Sequence, residues 1–163
     1  MILSAQSIRF RCQPPHIKPG LIQGEPLISP FHERSTAEGM SFGLSCHGYD
    51  VRVAEELHLS NGAFVLASTI ERFNMPADLA GFVKDKSSLA RQGVCVQNTI
   101  IEAGWCGYLT LEITKHSPGY LHLPAGSPIA QIVFQLLDEP TEQVYRGKYQ
   151  DQEAGPQAAR FER

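Results

Sequence analysis

The sequence has no apolar run of the about 18 residues that a membrane-crossing helix needs. It has no basic start followed by an apolar core at Met1-Ile2-Leu3-Ser4-Ala5-Gln6, so no signal peptide is expected. Positive charge is not in excess. Lys and Arg number 14 against 17 Asp and Glu, giving a net charge of −3. Non-specific nucleic-acid binding needs clustered positive charge, so no nucleic-acid partner is expected. The four cysteines, Cys12, Cys46, Cys95 and Cys106, form no C-x-x-C pair and predict free thiols in a cytosolic protein. His16, His32, His47, His58, His116 and His122 show no metal-ligand spacing and predict scattered surface or loop positions. There is no G-x-x-x-x-G-K-[ST] loop, no G-x-G-x-x-G and no G-x-S-x-G elbow. The zinc-deaminase signature, H-x-E with P-C-x-x-C, is absent as well.

What is present is ordinary globular composition in 163 residues, 42% hydrophobic and 19% charged, which is enough for one domain spanning 1–163. Fourteen Gly and eleven Pro favour many turns between short elements over a few long helices. A short helix is expected over Leu3–Arg11, with Ser4 as N-cap and Ile8 buried. Gln13–Pro30 is Pro- and Gly-rich and predicts extended segments and turns. Glu33–Gly39 predicts a polar loop.

From Ser41 onward, short apolar runs alternate with turn residues. They include Tyr49–Val53, Ala63–Ala67 after Asn61-Gly62, Gly81–Val83, Val94–Val96, Cys106–Thr114, Tyr120–Leu123 and Ile129–Leu137. Such spacing predicts an all-β sandwich or barrel. One helical turn is expected at Ser87–Arg91. The polar segment 143–163 predicts a C-terminal tail that packs on the body.

In Tyr108–Thr114 the side chains alternate faces. Leu109, Leu111 and Ile113 point to the core, while Glu112 shares the opposite face with Tyr108, Thr110 and Thr114. By periodicity alone Glu112 reads most simply as a solvated carboxylate. In Lys86-Ser87-Ser88-Leu89-Ala90-Arg91, two serines sit between cationic residues. Ser87 reads either as a plain helix N-cap or as part of an anion site built from free N–H groups, hydroxyls and charge.

Four ordered motifs resemble one family. Lys86-Ser87-Ser88-Leu89-Ala90-Arg91 resembles [RK]-S-S-L-[AG]-R, and Gly48-Tyr49-Asp50-Val51-Arg52 resembles G-Y-D-[LV]-R. Ile101-Glu102-Ala103-Gly104-Trp105-Cys106-Gly107 resembles I-D-P-G-[WF]-x-G, and Gly126–Phe134 resembles G-x-x-I-[AG]-Q-[LI]-x-F. The family is that of the dCTP deaminases and trimeric dUTPases, and Met1-Ile2-Leu3-Ser4 is similar to the start of the deaminases. The resemblance implies a distorted jelly roll (β-clip, dUTPase-like) with short helices, assembled as a homotrimer. It implies active sites between subunits, a pyrimidine deoxynucleoside triphosphate as substrate, Mg²⁺ carried on its phosphates, no protein metal site, and a cytoplasmic location in a bacterium or a phage-infected cell. Inhibition by dTTP is common in the family.

Two features resemble the deaminase branch. Glu112 stands ten residues after the acidic Glu102, where deaminases carry a Glu and dUTPases an apolar residue. The tail Lys148-Tyr149-Gln150-Asp151-Gln152-Glu153-Ala154-Gly155-Pro156 resembles K-Y-Q-x-Q-x-G-P, with one residue inserted before Gly155. The resemblance implies zinc-independent hydrolysis of dCTP to dUTP, with Glu112 activating water and Ser87 and Arg91 supporting it. Lys86 and Ser88 are implied at the phosphates and Glu102 at the sugar. Lys148, Tyr149 and Gln152, with Tyr145 as a weaker member, are implied as a lid.

Departures from the pattern leave three alternatives standing. Glu102 replaces Asp and Ala103 replaces Pro, while Ile100 stands where dUTP-releasing deaminases tend to carry Arg, so dUTP and dUMP plus pyrophosphate are both open as products. A dUTP diphosphatase is the first alternative. Gln97, Asn98 and Thr99 depart from the usual small residues, which opens 5-substituted dCTP as a substrate. A non-catalytic nucleotide-binding regulator is the third.

Overall fold

Period-two alternation of apolar side chains drives nearly every element of this chain into strands. The computed structural model describes residues 1–13, 25–97 and 99–161. The strands are β1 (Ile28–Ser29), β2 (Ser35–Ala37), β3 (Met40–Leu44), β4 (Tyr49–Arg52), β5 (Leu57–Leu59) and β6 (Phe64–Asn74). They continue with β7 (Leu79–Asp85), β8 (Val94–Val96), β9 (Ile100–Ile101), β10 (Cys106–Lys115), β11 (Leu121–Leu123) and β12 (Pro128–Leu136). Two short helices, α1 (Ala5–Cys12) and α2 (Ser87–Ala90), complete the set among the described residues.

The strands form a six-stranded sheet, β2-β3-β4-β12-β7-β9, a four-stranded sheet, β1-β6-β10-β8, and a separate pair, β11-β5. Every paired ladder is antiparallel. The core lies between the two larger sheets. Val51, Val83, Ile132 and Phe134 enter it from one side, and Ala67, Phe73, Leu111 and Ile113 from the other. Phe73 and Phe134, both fully buried, meet across it with ring centroids 6.4 Å apart. The architecture is all-β, as expected. No helix among the described residues is long and apolar enough to cross a membrane.

Several expectations are refined. The first helix is displaced to Ala5–Cys12, with Ile8 fully buried. Ser4 occupies the N-cap with extended backbone, but its hydroxyl pairs with Ser7 Oγ instead of capping an N–H. The polar stretch Glu33–Gly39 is not simply a loop, because it contains β2. Glu38 and Gly39 both adopt positive φ (50° and 69°) and close a two-residue turn in which Ala37 pairs with Met40. Residues 14–24 of the Pro- and Gly-rich region lie outside the described set. The tail from 143 to 161 forms no regular element and packs on the body. All four cysteines are free.

Candidate active site

Strand β10 places the carboxylate that the sequence singled out. Leu109, Leu111 and Ile113 are buried, and Glu112 projects from the other face, opposite Leu66 of β6. The strand is fixed on its second edge too, where Gln97 N–H donates to the Glu112 carbonyl at 2.9 Å. Glu112 is half-buried and faces a cleft of about 480 Å³. The wall around it is apolar and aromatic, with Leu66, Leu109, Ile101, Trp105, Tyr145 and Tyr149. Glu112 Oε2 is buried with no hydrogen-bond partner. Burial pushes the Glu112 carboxyl above the usual carboxylate range. A buried polar atom left unpaired is costly, so its place at the head of a cleft points to a ligand or water as the missing partner.

Glu102 lines the same cleft from the turn after β9, which Trp105 N–H closes onto the Glu102 carbonyl at 3.1 Å. Two glycines, Gly104 in this turn and Gly107 at the start of β10, let the tail approach. At Gly104 (φ +82°) a Cβ would stand 2.5 Å from Val144 Cβ. At Gly107 (φ +142°) it would stand 2.7 Å from the Gln152 backbone nitrogen. Only glycine combines that conformation with that closeness.

The tail is tied across this surface. Trp105 Nε1–H donates to the Tyr149 carbonyl at 2.7 Å, and Gln150 Nε2–H to the Gly104 carbonyl at 3.1 Å. Gln152 Nε2–H donates to the Tyr108 carbonyl at 2.8 Å and to Thr110 Oγ1 at 2.7 Å. Tyr149 N–H donates to the Tyr145 hydroxyl at 3.1 Å. Arg160 N–H donates to the Tyr149 hydroxyl at 2.8 Å, closing the segment on itself. Tyr145, Tyr149 and Gln152 therefore line the cleft beside Glu112 and Glu102. Lys148 is exposed, with its ammonium over the Tyr149 ring at 5.5 Å, and does not line it.

The serine-bearing motif stands elsewhere. Lys86, Ser87, Ser88 and Arg91 do not line the cleft. Lys86 is buried and its ammonium is 2.8 Å from Asp50 Oδ2. Asp50 also accepts from Ser41 Oγ at 3.1 Å and from Gln131 Nε2 at 3.0 Å. Three of the four sequence motifs thus meet in one buried polar network, through Asp50, Lys86 and Gln131. It anchors the start of α2 and leaves Ser87, Ser88 and Arg91 exposed. Arg91 Nη1–H donates to the Ser87 carbonyl at 3.2 Å, so the guanidinium lies along its own helical turn.

One chain accordingly brings Glu112, Glu102, Tyr149, Gln152 and Tyr145 together, keeps Lys86, Ser87, Ser88 and Arg91 out of the cleft, and leaves Lys148 exposed beside Tyr149. Sequence reasoning missed Trp105 as the tail's anchor and Gln157, whose N–H donates to Thr110 Oγ1 at 3.0 Å. Thr110 was legible as a polar neighbour of Glu112, but nothing in the sequence paired it with residues more than 40 positions away.

The family model described as dCTP deaminase-like matches residues 28–137. The dCTP deaminase of Campylobacter fetus is 34% identical, over 78% of this chain and 86% of its own length. That of Roseiflexus castenholzii is 33% identical, over 77% and 86%. Among solved structures, the dUTPase of Staphylococcus bacteriophage 80alpha superposes with a TM-score of 0.55 at 16% identity, covering 72% of this chain and 90% of that one. The equine infectious anaemia virus (EIAV) dUTPase does so at 0.52 and 23%, covering 62% and 84%. The fold is dUTPase-like, and by the extent of the family match and the identity to curated relatives this chain belongs to the dCTP deaminase-like family.

Proposed function

We propose that the protein deaminates dCTP hydrolytically, with Glu112 as the group that activates water. The observation that carries this reading is the half-buried Glu112 carboxylate, its Oε2 unpartnered, at the wall of a nucleotide-sized cleft. Water adds to C4 of the cytosine, and Glu112 takes its proton and passes it to N3. The tetrahedral carbon then expels its amino group as ammonia, which receives the second water proton through Glu112, and the C4 carbonyl forms. A carboxylate held in apolar surroundings suits both halves of this shuttle, because its proton affinity lies nearer the working pH.

Ser87 and Arg91 supply donors for the charge that develops on the attacked ring. Ser88 faces the phosphates, Lys86, buried against Asp50, positions the start of α2 that presents it, and Glu102 takes the sugar. Lys148, Tyr149 and Gln152, with Tyr145, close over the triphosphate as a lid. Glu112 and the Ser87–Arg91 helix are apart within one chain. We assign them to the two sides of an interface in a homotrimer, where a neighbouring copy completes each site. Mg²⁺ enters with the triphosphate. A structural Mg(II) ion is described for the phage phi11 dUTPase, a fold relative at TM-score 0.52. A cytoplasmic setting and dTTP inhibition belong to the same reading.

The second reading is dUTP diphosphatase, favoured by Glu102 in the same cleft and by a dUTPase-like fold. Both readings are separated by incubating the protein with Mg²⁺ and dCTP and resolving ammonia and nucleotides. Ammonia with dUTP supports deamination alone. Ammonia with dUMP and pyrophosphate adds hydrolysis through Glu102. No ammonia from dCTP, with pyrophosphate from dUTP, overturns the first reading in favour of the second. Faster turnover of 5-methyl or 5-hydroxymethyl dCTP would assign the exposed Thr99 and Ile100 rim to a substituted base.

A further inference from the structure

The small sheet β11-β5 carries a cluster that the catalytic reading does not use. His58 and His122 are direct cross-strand partners. Their rings lie parallel within 14°, centroids 5.0 Å apart. Glu56, two residues before His58, reaches the same spot. Its Oε1 lies 2.5 Å from His122 Nε2 and 3.9 Å from His58 Nε2. One ligand atom from each of the three falls within 4.8 Å of the other two. None of the three lines the Glu112 cleft.

The second layer supports the first. The hydroxyl of Tyr120 is hydrogen-bonded to His58 Nδ1. A proton on Nδ1, donated to that hydroxyl, leaves the Nε2 lone pair free and aimed toward Glu56. Metal-binding histidines are usually held this way, by a partner on the ring nitrogen that does not ligate. The stacked imidazoles and the carboxylate also lie on one open face. All three side chains are between 41% and 59% exposed, so an ion can enter and water can fill a fourth position.

We propose that Glu56, His58 and His122 form a binding site for a divalent transition metal of the Zn²⁺ type. Two neutral imidazoles and one carboxylate suit Zn²⁺, Ni²⁺ or Cu²⁺, whereas Mg²⁺ prefers an all-oxygen shell. The ion takes the place of the hydrogen bond between His122 Nε2 and Glu56 Oε1. Small adjustments of side-chain rotamers bring the three donors to the about 2.0–2.2 Å that zinc requires. The site clips β5 to β11, which among the described residues pair only with each other. It is distinct from the Mg²⁺ that accompanies the nucleotide.

The test uses the full-length protein in a Cys46→Ser background, which removes an exposed thiol as a competing zinc ligand. ZnCl₂ is titrated against a chromophoric chelator, and unfolding is followed with and without the ion. The expected result is one Zn²⁺ per chain and a rise in Tm with excess zinc. His58→Ala and His122→Ala each weaken binding by roughly tenfold or more, since loss of a ligand costs at least as much as loss of a partner that orients one. Glu56→Gln weakens it less, and His47→Ala, an exposed histidine outside the cluster, leaves it unchanged. Millimolar Mg²⁺ does not displace the zinc. The proposal is overturned if the His58→Ala/His122→Ala double variant binds zinc as the parent does. It is equally overturned if the parent binds no zinc in competition or gains no thermal stability from it. Deaminase activity plays no part in this readout, so failure here leaves the catalytic reading intact, and the converse holds.

Discussion

The indole N–H of Trp105 donates to the carbonyl oxygen of Tyr149 at 2.7 Å, and this bond joins the wall of the cleft to its cover. Trp105→Phe keeps most of the apolar surface and removes the donor, at a cost of about 1 kcal/mol for the lost bond. The cover should loosen. Steady-state kinetics should show KM for the triphosphate raised severalfold with kcat changed less, and hydrogen exchange at residues 148–153 should quicken.

Gly107→Ala should act on the same contact more severely. Its Cβ would stand 2.7 Å from the Gln152 nitrogen, at a backbone φ of +142° that alanine resists. The tail should release from β10, which limited proteolysis would detect as faster cleavage beyond residue 145. A tail that stays protected would mean that Gly107 tolerates the side chain through movement of β10.

In the proposed mechanism, Glu112→Gln removes the group that moves the proton. A fall in kcat of about 10²–10⁴ is expected, with nucleotide binding retained. Wild-type activity should show an acid limb, because Glu112 must be ionised to accept the proton from water. That limb should lie above the range of an exposed carboxylate, since burial raises the Glu112 pKa. Stability runs the opposite way. The folded-state pKa is above the unfolded one, so the neutral form is favoured by folding. The benefit is present below the unfolded pKa and is lost as pH rises through the folded pKa. Glu112→Gln should therefore match or exceed the wild-type Tm at neutral pH, and the difference should vanish in acid. An equal pH-dependence of Tm in both proteins would count against a buried, ionised Glu112.

Lys86→Met should destabilise by about 3–5 kcal/mol, because it strands the buried Asp50 carboxylate. The Asp50→Asn/Lys86→Met double variant should be less destabilised than Lys86→Met alone. Urea unfolding of the two proteins checks this. Equal losses would mean that Asp50 finds water or enough help from Ser41 and Gln131 without its cation.

Mixing two inactive proteins tests whether the site is shared between copies. Glu112→Gln and Arg91→Ala, unfolded together and refolded at equal ratio, should recover about a quarter of wild-type activity if each site draws the two residues from different chains. No recovery in verified mixed oligomers would place both residues in one chain.

Much of the fold was legible because a strand reports its two faces through a period of two. Leu109, Leu111 and Ile113 alternate with Thr110 and Glu112, and the buried face followed directly. The strand β2 was not legible. Its residues Ser-Thr-Ala carry no apolar alternation, and its turn uses Glu38-Gly39 in place of the usual Asn-Gly signal. The four motifs were legible as motifs, but their division of labour was not. Lys86 reads as a free cation in the sequence, yet it is buried against an aspartate 36 positions earlier. The histidines fared likewise. His58 and His122 are 64 positions apart in the sequence and become neighbours only because β5 and β11 pair in one register.

The sequence by itself determined that this chain makes short strands, that Glu112 stands on the polar face of one of them, and that its ordered motifs resemble the dCTP deaminases. Those properties are local, set by side-chain alternation, turn residues and residue spacing. Tertiary structure alone decided which carboxylate loses its water, which cation is committed to a partner, and where the tail lies. Those depend on desolvation and hydrogen bonding between segments distant in sequence, as when Gly107 lets Gln152 reach Thr110 beside Glu112.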